Sequence, residues 1–196
     1  MIRAVNTTAL SFRKGIQFHM NEYKRINRTL VKKGAIIDYY QDTIQLPDGS
    51  KKEYDFIDHK GASAVVPVLP DGRILMVRQE RNAIDDESLE IPAGGKNPSE
   101  AFDVAAMREL EEETGYRCDK VTHLFDLYTT VAFSNEKIGI YLAEDLIPSK
   151  QNLDDDEYLS VEVYSLAELQ HMIAEGCIRD AKTIAALMYY KAIKER

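Results

Sequence analysis

The chain has 196 residues, 44% of them hydrophobic, so one globular domain with a sizeable core is expected. Its net charge of −8 argues against general binding to nucleic-acid phosphates, and no apolar run approaches the ~18 residues of a membrane span. The two cysteines, Cys118 and Cys177, lack metal-ligand spacing and read as ordinary reduced thiols of a cytoplasmic protein.

Residues 1–28 read as an N-terminal extension. Met1–Met20 carries Arg3, Arg13 and Lys14 and no acidic residue, with scattered apolar positions that exclude a secretory signal. Two readings fit: a basic transit-type leader, or a natural start at Met20. Residues 29–58 alternate, are rich in Ile and Tyr, and turn at Pro47-Asp48-Gly49-Ser50, which predicts a small antiparallel sheet.

Residues 59–196 form the main domain. Ala62–Leu69 and Arg73–Arg78 are near-continuous apolar runs joined by Pro70-Asp71-Gly72, and so predict strands buried on both faces. Leu89–Gly94 leads into a loop. Val121–Thr130, Ile138–Ala143 and Tyr158–Tyr164 predict further strands, with a loop at Val131–Lys137 and an acidic loop at Leu153–Glu157. Ser165 and Glu168 make a capping box for a helix that stops at Gly176, and Asp180 caps a last helix through Ile193. Strands and helices interleave, which predicts a mixed sheet between helices.

Gly94–Tyr116 holds the chemistry. Asn97-Pro98-Ser99-Glu100 reads as a helix start, with Asn97 as N-cap, Pro98 at the first helical position and Glu100 reaching back. Ala101–Thr114 is rich in helix formers, and Gly115 supplies a left-handed end. Glu109, Glu112 and Glu113 then share one helix face. Like charges so close repel, and a cation removes that penalty. Clustered hard oxygens suit Mg²⁺, or Mn²⁺, rather than zinc. Phe102, Ala106 and Leu110 form a second stripe suited to packing on a sheet. A carboxylate cluster with Mg²⁺ can neutralise a diphosphate and activate water for phosphoanhydride hydrolysis. A solvated acidic helix face is the competing reading, and the completeness of the motif disfavours it.

Gly94, then Glu100, then Arg108-Glu109-Leu110-x-Glu112-Glu113-x-Gly115-Tyr116 matches the Nudix hydrolase signature at every fixed position, so the chain resembles that family. The resemblance implies an α/β (α+β) fold: a Nudix-type α/β/α sandwich with a mixed sheet, preceded by the small sheet. It implies Glu109 and Glu113 as chief metal ligands, with Glu112 and the Ala93 carbonyl beside them. Arg108 and Glu100 would form an ion pair that holds loop and helix. Outside this stretch, RILMVRQER, LEIPAGG, FSNE and LDDDEYLSVEVYSLAEL resemble the ADP-ribose pyrophosphatase branch, which cleaves ADP-ribose to AMP and ribose 5-phosphate. In that branch the N-terminal sheet builds a homodimer.

Carried over, Glu157 becomes the general base or a completing metal ligand, with Asp155 next in line; a plain acidic loop is the alternative. Arg81 would meet the diphosphate. Arg78 fits that role or a strand-end surface charge. Glu136 would contact the distal ribose or an outer-shell metal group. Tyr39, Tyr40, Tyr54 and Phe56 are candidate base-stacking aromatics, or ordinary strand packing. Two departures bear on the substrate: Thr130-Val131-Ala132 replaces the branch's Ser-Pro-Gly, and Glu80 stands where an aromatic is common. They keep GDP- or UDP-sugars open as substrates, and beside them a non-cleaving ADP-ribose sensor.

Overall fold

The computed structural model describes residues 23–153 and 157–195. Strands β1 (Lys24–Lys33), β2 (Ile37–Gln45) and β3 (Lys51–His59) form a separate antiparallel sheet in that order. The first of them begins at Lys24, upstream of the alternating stretch legible from Thr29. The turn between β2 and β3 falls at Pro47–Ser50, closed by Leu46 N–H to Ser50 O at 2.8 Å.

The main domain starts with β4 (Ala62–Pro67), β5 (Ile74–Arg81), β6 (Asp86–Glu90) and β7 (Ala93–Gly95), followed by α1 (Phe102–Thr114) and the short β8 (Tyr116–Arg117). Next come β9 (Thr122–Tyr128), β10 (Lys137–Ala143), the short β11 (Ile147–Pro148) and β12 (Leu159–Tyr164). Helices α2 (Leu166–Ala174) and α3 (Ala181–Lys194) close the chain. One sheet has the order β7-β4-β10-β9, with β4 and β10 parallel and the other pairs antiparallel. A second, antiparallel sheet has the order β12-β5-β6. A bridge between Val68 and Ile74 links the strands at the β4–β5 turn.

Burial on both faces makes this a sandwich. Along β4, Val65 faces one cluster while Ala64 and Val66 face the other. Leu75 on β5 and Tyr141 on β10 join Val65 against Ala106 and Leu110 of α1. Ile74, Met76, Ile140 and Leu142 point the opposite way, onto Leu169 of α2 and Ala186 and Leu187 of α3. The alternation with period two therefore serves two helical layers, which is why β4 and β5 read as unbroken apolar runs. Ser165 caps α2 with both halves of the capping box, and Asp180 caps α3 through Thr183 N–H at 2.9 Å.

The start of α1 differs from the sequence expectation. Its cap is Ala101, without a side-chain bond, and Asn97–Glu100 forms a separate turn. Ser99 sits at φ 65°, a left-handed conformation that no helix interior accepts. Glu100 does reach back to Asn97 N–H, at 2.8 Å, but its other bonds go to Arg108, which fixes the carboxylate outside the helix. Ser63 Oγ, fully buried on β4, donates to Phe102 O at 2.7 Å and seats the first turn of α1 on the sheet.

The small sheet touches the main domain mainly through the segment after β9. Ile57 N–H donates to Phe133 O at 2.7 Å, and Asn135 bonds both the His59 N–H and the Asp58 carboxylate. Its outer strand β1 is exposed almost throughout, with Leu30 and Val31 about half exposed. No helix among the described residues is long and apolar enough to cross a membrane.

Leu110 should be the residue of α1 least tolerant of truncation. Leu110→Ala should cost about 2–5 kcal/mol, while Val104→Ala on the outer face of α1 should stay within about 0.5 kcal/mol. Urea midpoints for the two variants check this; equal losses would contradict the packing.

Candidate active site

The site forms where the last turns of α1 meet β7. Glu109 and Glu113 are one helical turn apart and face the sheet, with only 6% and 2% of their surface exposed. Glu112 lies on the outer edge of the same face with its side chain 34% exposed. Glu113 accepts the Ala93 N–H at 3.0 Å. The Glu109 carboxylate lies against Gly94, where any β-carbon would collide with it. Glycine at 94 thus leaves the room that the Glu109 carboxylate occupies, and a larger residue would displace that side chain.

Arg108 ties the loop to the helix. Its Nε and Nη2 donate to the Glu100 carboxylate at 3.0 and 3.1 Å, Nη2 also to Gly95 O at 2.9 Å, and Nη1 to Glu109 and Glu112, each at 2.7 Å. One guanidinium thus joins three carboxylates and a backbone carbonyl. Gly115 ends the helix in the left-handed region at φ 70°, and Gln151 reaches back to Glu113 O at 2.7 Å.

Electrostatics sets this cluster apart from the other acids. Burial pushes Glu109 up to about 7, although Arg108 opposes it. Burial, then the neighbouring Glu109, pushes Glu113 up to about 8. Glu157 adds to both shifts, so it lies close enough to be felt by the pair. Two buried acids that hold protons near neutrality are only partly compensated, Glu109 by Arg108 and Glu113 by a backbone N–H. Among the described residues no three acidic, His or Cys side chains converge at metal-ligand spacing. Arg108 and the Ala93 N–H take up carboxylate oxygens here. The donor set itself, hard and under-compensated oxygens, suits a hard divalent cation.

Arg81, Arg78, and Tyr54 with Phe56 line three separate cavities. Arg81 binds Glu90 side-on, Nε at 2.9 Å and Nη2 at 2.7 Å, and lines a cavity of about 460 Å³ with Ile84, Ser88 and Lys182. Arg78 binds Glu162, Nε at 2.6 Å and Nη2 at 3.2 Å, and lines a second cavity of about 450 Å³ with Glu80, Glu157 and Tyr158. Glu136 accepts from Thr129 Oγ at 2.6 Å and lies 3.6 Å from His59, at the junction with the small sheet. A third cavity, about 340 Å³, lies between that sheet and the segment after β9, lined by Tyr54, Phe56, Val131, Ala132 and Phe133. Tyr40 pairs with Phe56, over which Arg28 stacks at 3.5 Å. Tyr39 pairs in register with Ile57 and its hydroxyl bonds Asp55 at 2.7 Å, on the opposite face from Tyr54 and Phe56. Asp155 lies outside the described residues.

Glu90 was missed by sequence reasoning. It sits between Leu89 and Ile91 and is itself 3% exposed, so a charge in a buried strand was the available signal. Its second partner, Lys182, is 92 positions away, beyond any local spacing rule.

A NUDIX domain model matches residues 58–187. The chain is 36% identical over 170 residues to the ADP-ribose pyrophosphatase of Bacillus subtilis (strain 168), covering 86% of this chain and 92% of that one. It is 35% identical over 171 residues to the methanol dehydrogenase activator of Bacillus methanolicus, with the same coverage. A crystal structure of an ADP compounds hydrolase superposes with a TM-score of 0.81 at 22% identity, over 93% of this chain and 97% of the other, a likeness of fold. Matched over most of its main domain, and carrying the carboxylate helix and glycine loop that the geometry joins, the chain belongs to the Nudix family.

Proposed function

We propose that the protein hydrolyses the diphosphate of ADP-ribose to AMP and ribose 5-phosphate, using water and a divalent cation, preferably Mg²⁺. The observation that carries this reading is the buried, under-compensated pair Glu109 and Glu113 beside Gly94 and Ala93. The similarity to the Bacillus subtilis ADP-ribose pyrophosphatase over most of both chains supports the choice of substrate.

Glu109, Glu113 and Glu112 would hold the cation, with the Ala93 carbonyl beside them. Bound there, the cation neutralises the diphosphate and lowers the pKa of water. Arg108 and Glu100 keep the loop and helix in register, so the carboxylates stay fixed while charge develops. Arg81, at the lip of its cavity, would take phosphate oxygens. Glu157, close enough to shift both buried acids, is assigned the proton of the attacking water, with Asp155 as the alternative. Glu136 is assigned to the ribose side and Arg78 to the outer wall. The cavity with Tyr54 and Phe56 is the better place for the adenine than the face carrying Tyr39. The exposed strand β1 is assigned to a homodimer interface, since an uncovered three-stranded sheet is marginal alone.

A panel of ADP-ribose, ADP-glucose, GDP-mannose and UDP-glucose tests the substrate, with Mg²⁺ and with EDTA. ADP-ribose should be preferred, turnover should vanish in EDTA, and Glu113→Gln should be nearly inactive while folded. Preference for a GDP- or UDP-sugar would move specificity to Val131-Ala132, and binding without turnover would indicate a sensor. Glu157→Gln should lower kcat by on the order of 10²–10⁴; in steady-state assays, a loss below about threefold would shift the base to Asp155.

A further inference from the structure

Arg81, the proposed diphosphate contact, belongs to a buried ionic assembly whose other members, Glu90 and Lys182, have no part in the hydrolytic scheme. Glu90 has its side chain 4% exposed and is held ionised, down to about 2, by its two cations against the cost of burial. Arg81 grips both its oxygens side-on. Lys182, its side chain 10% exposed, also bonds Oε2, and Asp180 Oδ2 at 3.1 Å. One residue on, Ile91 N–H donates to Thr183 Oγ at 3.0 Å in a buried contact. The first turn of α3 is therefore bolted to Glu90–Ile91 at two adjacent points, just ahead of Pro92 and Ala93.

The consequence falls on Arg81. A long side chain at a strand end ordinarily samples many rotamers and loses that freedom on binding. Here Nε and Nη2 are committed to an immobile carboxylate, so the plane of the guanidinium is set before substrate arrives. Its Nη1 end lies outside the pair, and the side chain is 41% exposed. Lys182 shares Oε2, so Arg81 is not the sole counter-charge of Glu90. Arg81 lines the 460 Å³ cavity and also feels the charge of Glu113.

We propose that Glu90 and Lys182 are positioning residues that pre-set Arg81 for the substrate diphosphate, with Thr183 holding Ile91, the residue next to Glu90, on the first turn of α3. The inference rests on the proposed hydrolysis of a nucleoside diphosphate sugar. Removing Lys182 leaves a buried carboxylate with one cation, and Arg81 turns inward to serve it.

The test is Lys182→Met, Lys182→Arg, Arg81→Ala and the Lys182→Met/Arg81→Ala double variant. Lys182→Met should raise KM for ADP-ribose about tenfold, the scale of one charge-assisted hydrogen bond, and leave kcat within about threefold. Lys182→Arg should restore most of the loss. The double variant should be no worse than Arg81→Ala by more than about twofold, the signature of residues acting through one group. Mg²⁺ affinity by calorimetry, with the metal alone, should change less than about twofold. Independent multiplication of the two losses, or Mg²⁺ affinity falling as far as KM rises, would overturn the proposal. Should Lys182→Met not fold, Thr183→Val removes only the Ile91 bond, and an unchanged KM there would overturn it equally. Binding of inorganic pyrophosphate with Mg²⁺ reads the same series without turnover. Wild-type protein that binds pyrophosphate but spares ADP-ribose would thus sink the hydrolytic reading alone. Pyrophosphate affinity unaffected by Lys182→Met would sink the positioning role alone.

Discussion

The structure depends on keeping two carboxylates, Glu109 and Glu113, out of water. Both are almost wholly buried, and burial lifts both towards neutral pKa values. A fold tolerates such a pair only if something else offsets their cost. Arg108 does so in part for Glu109, and the Ala93 N–H in part for Glu113. What remains is a site predisposed to a hard dication, and the rest of the main domain holds it in place. Ala106 and Leu110 seat α1 on β4, β5 and β10, while Ser63 fixes its first turn. Gly94 lets the Glu109 carboxylate approach the chain without a side chain in the way.

Opposite charges are handled in two contrasting ways within a short distance. Glu90 is as buried as Glu113 but has two cations against it, and its carboxyl falls to about 2. Glu113 has a backbone N–H and the more distant influence of Lys182 and Arg81, and rises to about 8. The same residue type is thus a fixed anchor on β6 and, in the function we propose, a metal ligand on α1. The difference is the number of permanent cations in contact, not the depth of burial. The small sheet adds a third element, joined to the domain through backbone pairing at Ile57 and Phe133 and through Asn135.

Much of this was legible in the chain because it is local. The three carboxylates on one helix face follow from spacing alone, as do the capping box at Ser165–Glu168 and the cap at Asp180. The apolar runs of β4 and β5 announce burial on both faces. The start of α1 misled because Asn97-Pro98-Ser99-Glu100 is also a good tight turn, and Arg108, eleven residues on from Asn97, decides between the two by claiming Glu100. Strands β6 and β7 were hidden by Pro92 between them and by Gly94 and Gly95 within β7. The Arg81–Glu90–Lys182 assembly was invisible because its members meet only in three dimensions. Tyr39 and Tyr54 could not be separated by composition, and register alone puts them on opposite faces.

The central claim is that a divalent cation relieves the burial cost of Glu109 and Glu113, and thermal unfolding against pH tests it most directly. Both groups are raised from about 4.5, so without metal the folded state holds protons that the unfolded chain has released. Stability from this pair is therefore full below about pH 4.5 and is lost as pH rises through about 7 and 8. Mg²⁺ needs both groups ionised, so it must displace those protons. The account predicts that the Tm gain from saturating Mg²⁺ grows steadily between about pH 6 and 8.5, and that Glu113→Gln removes most of that growth. A gain that is absent, or that is the same at every pH in wild type and Glu113→Gln, would contradict it.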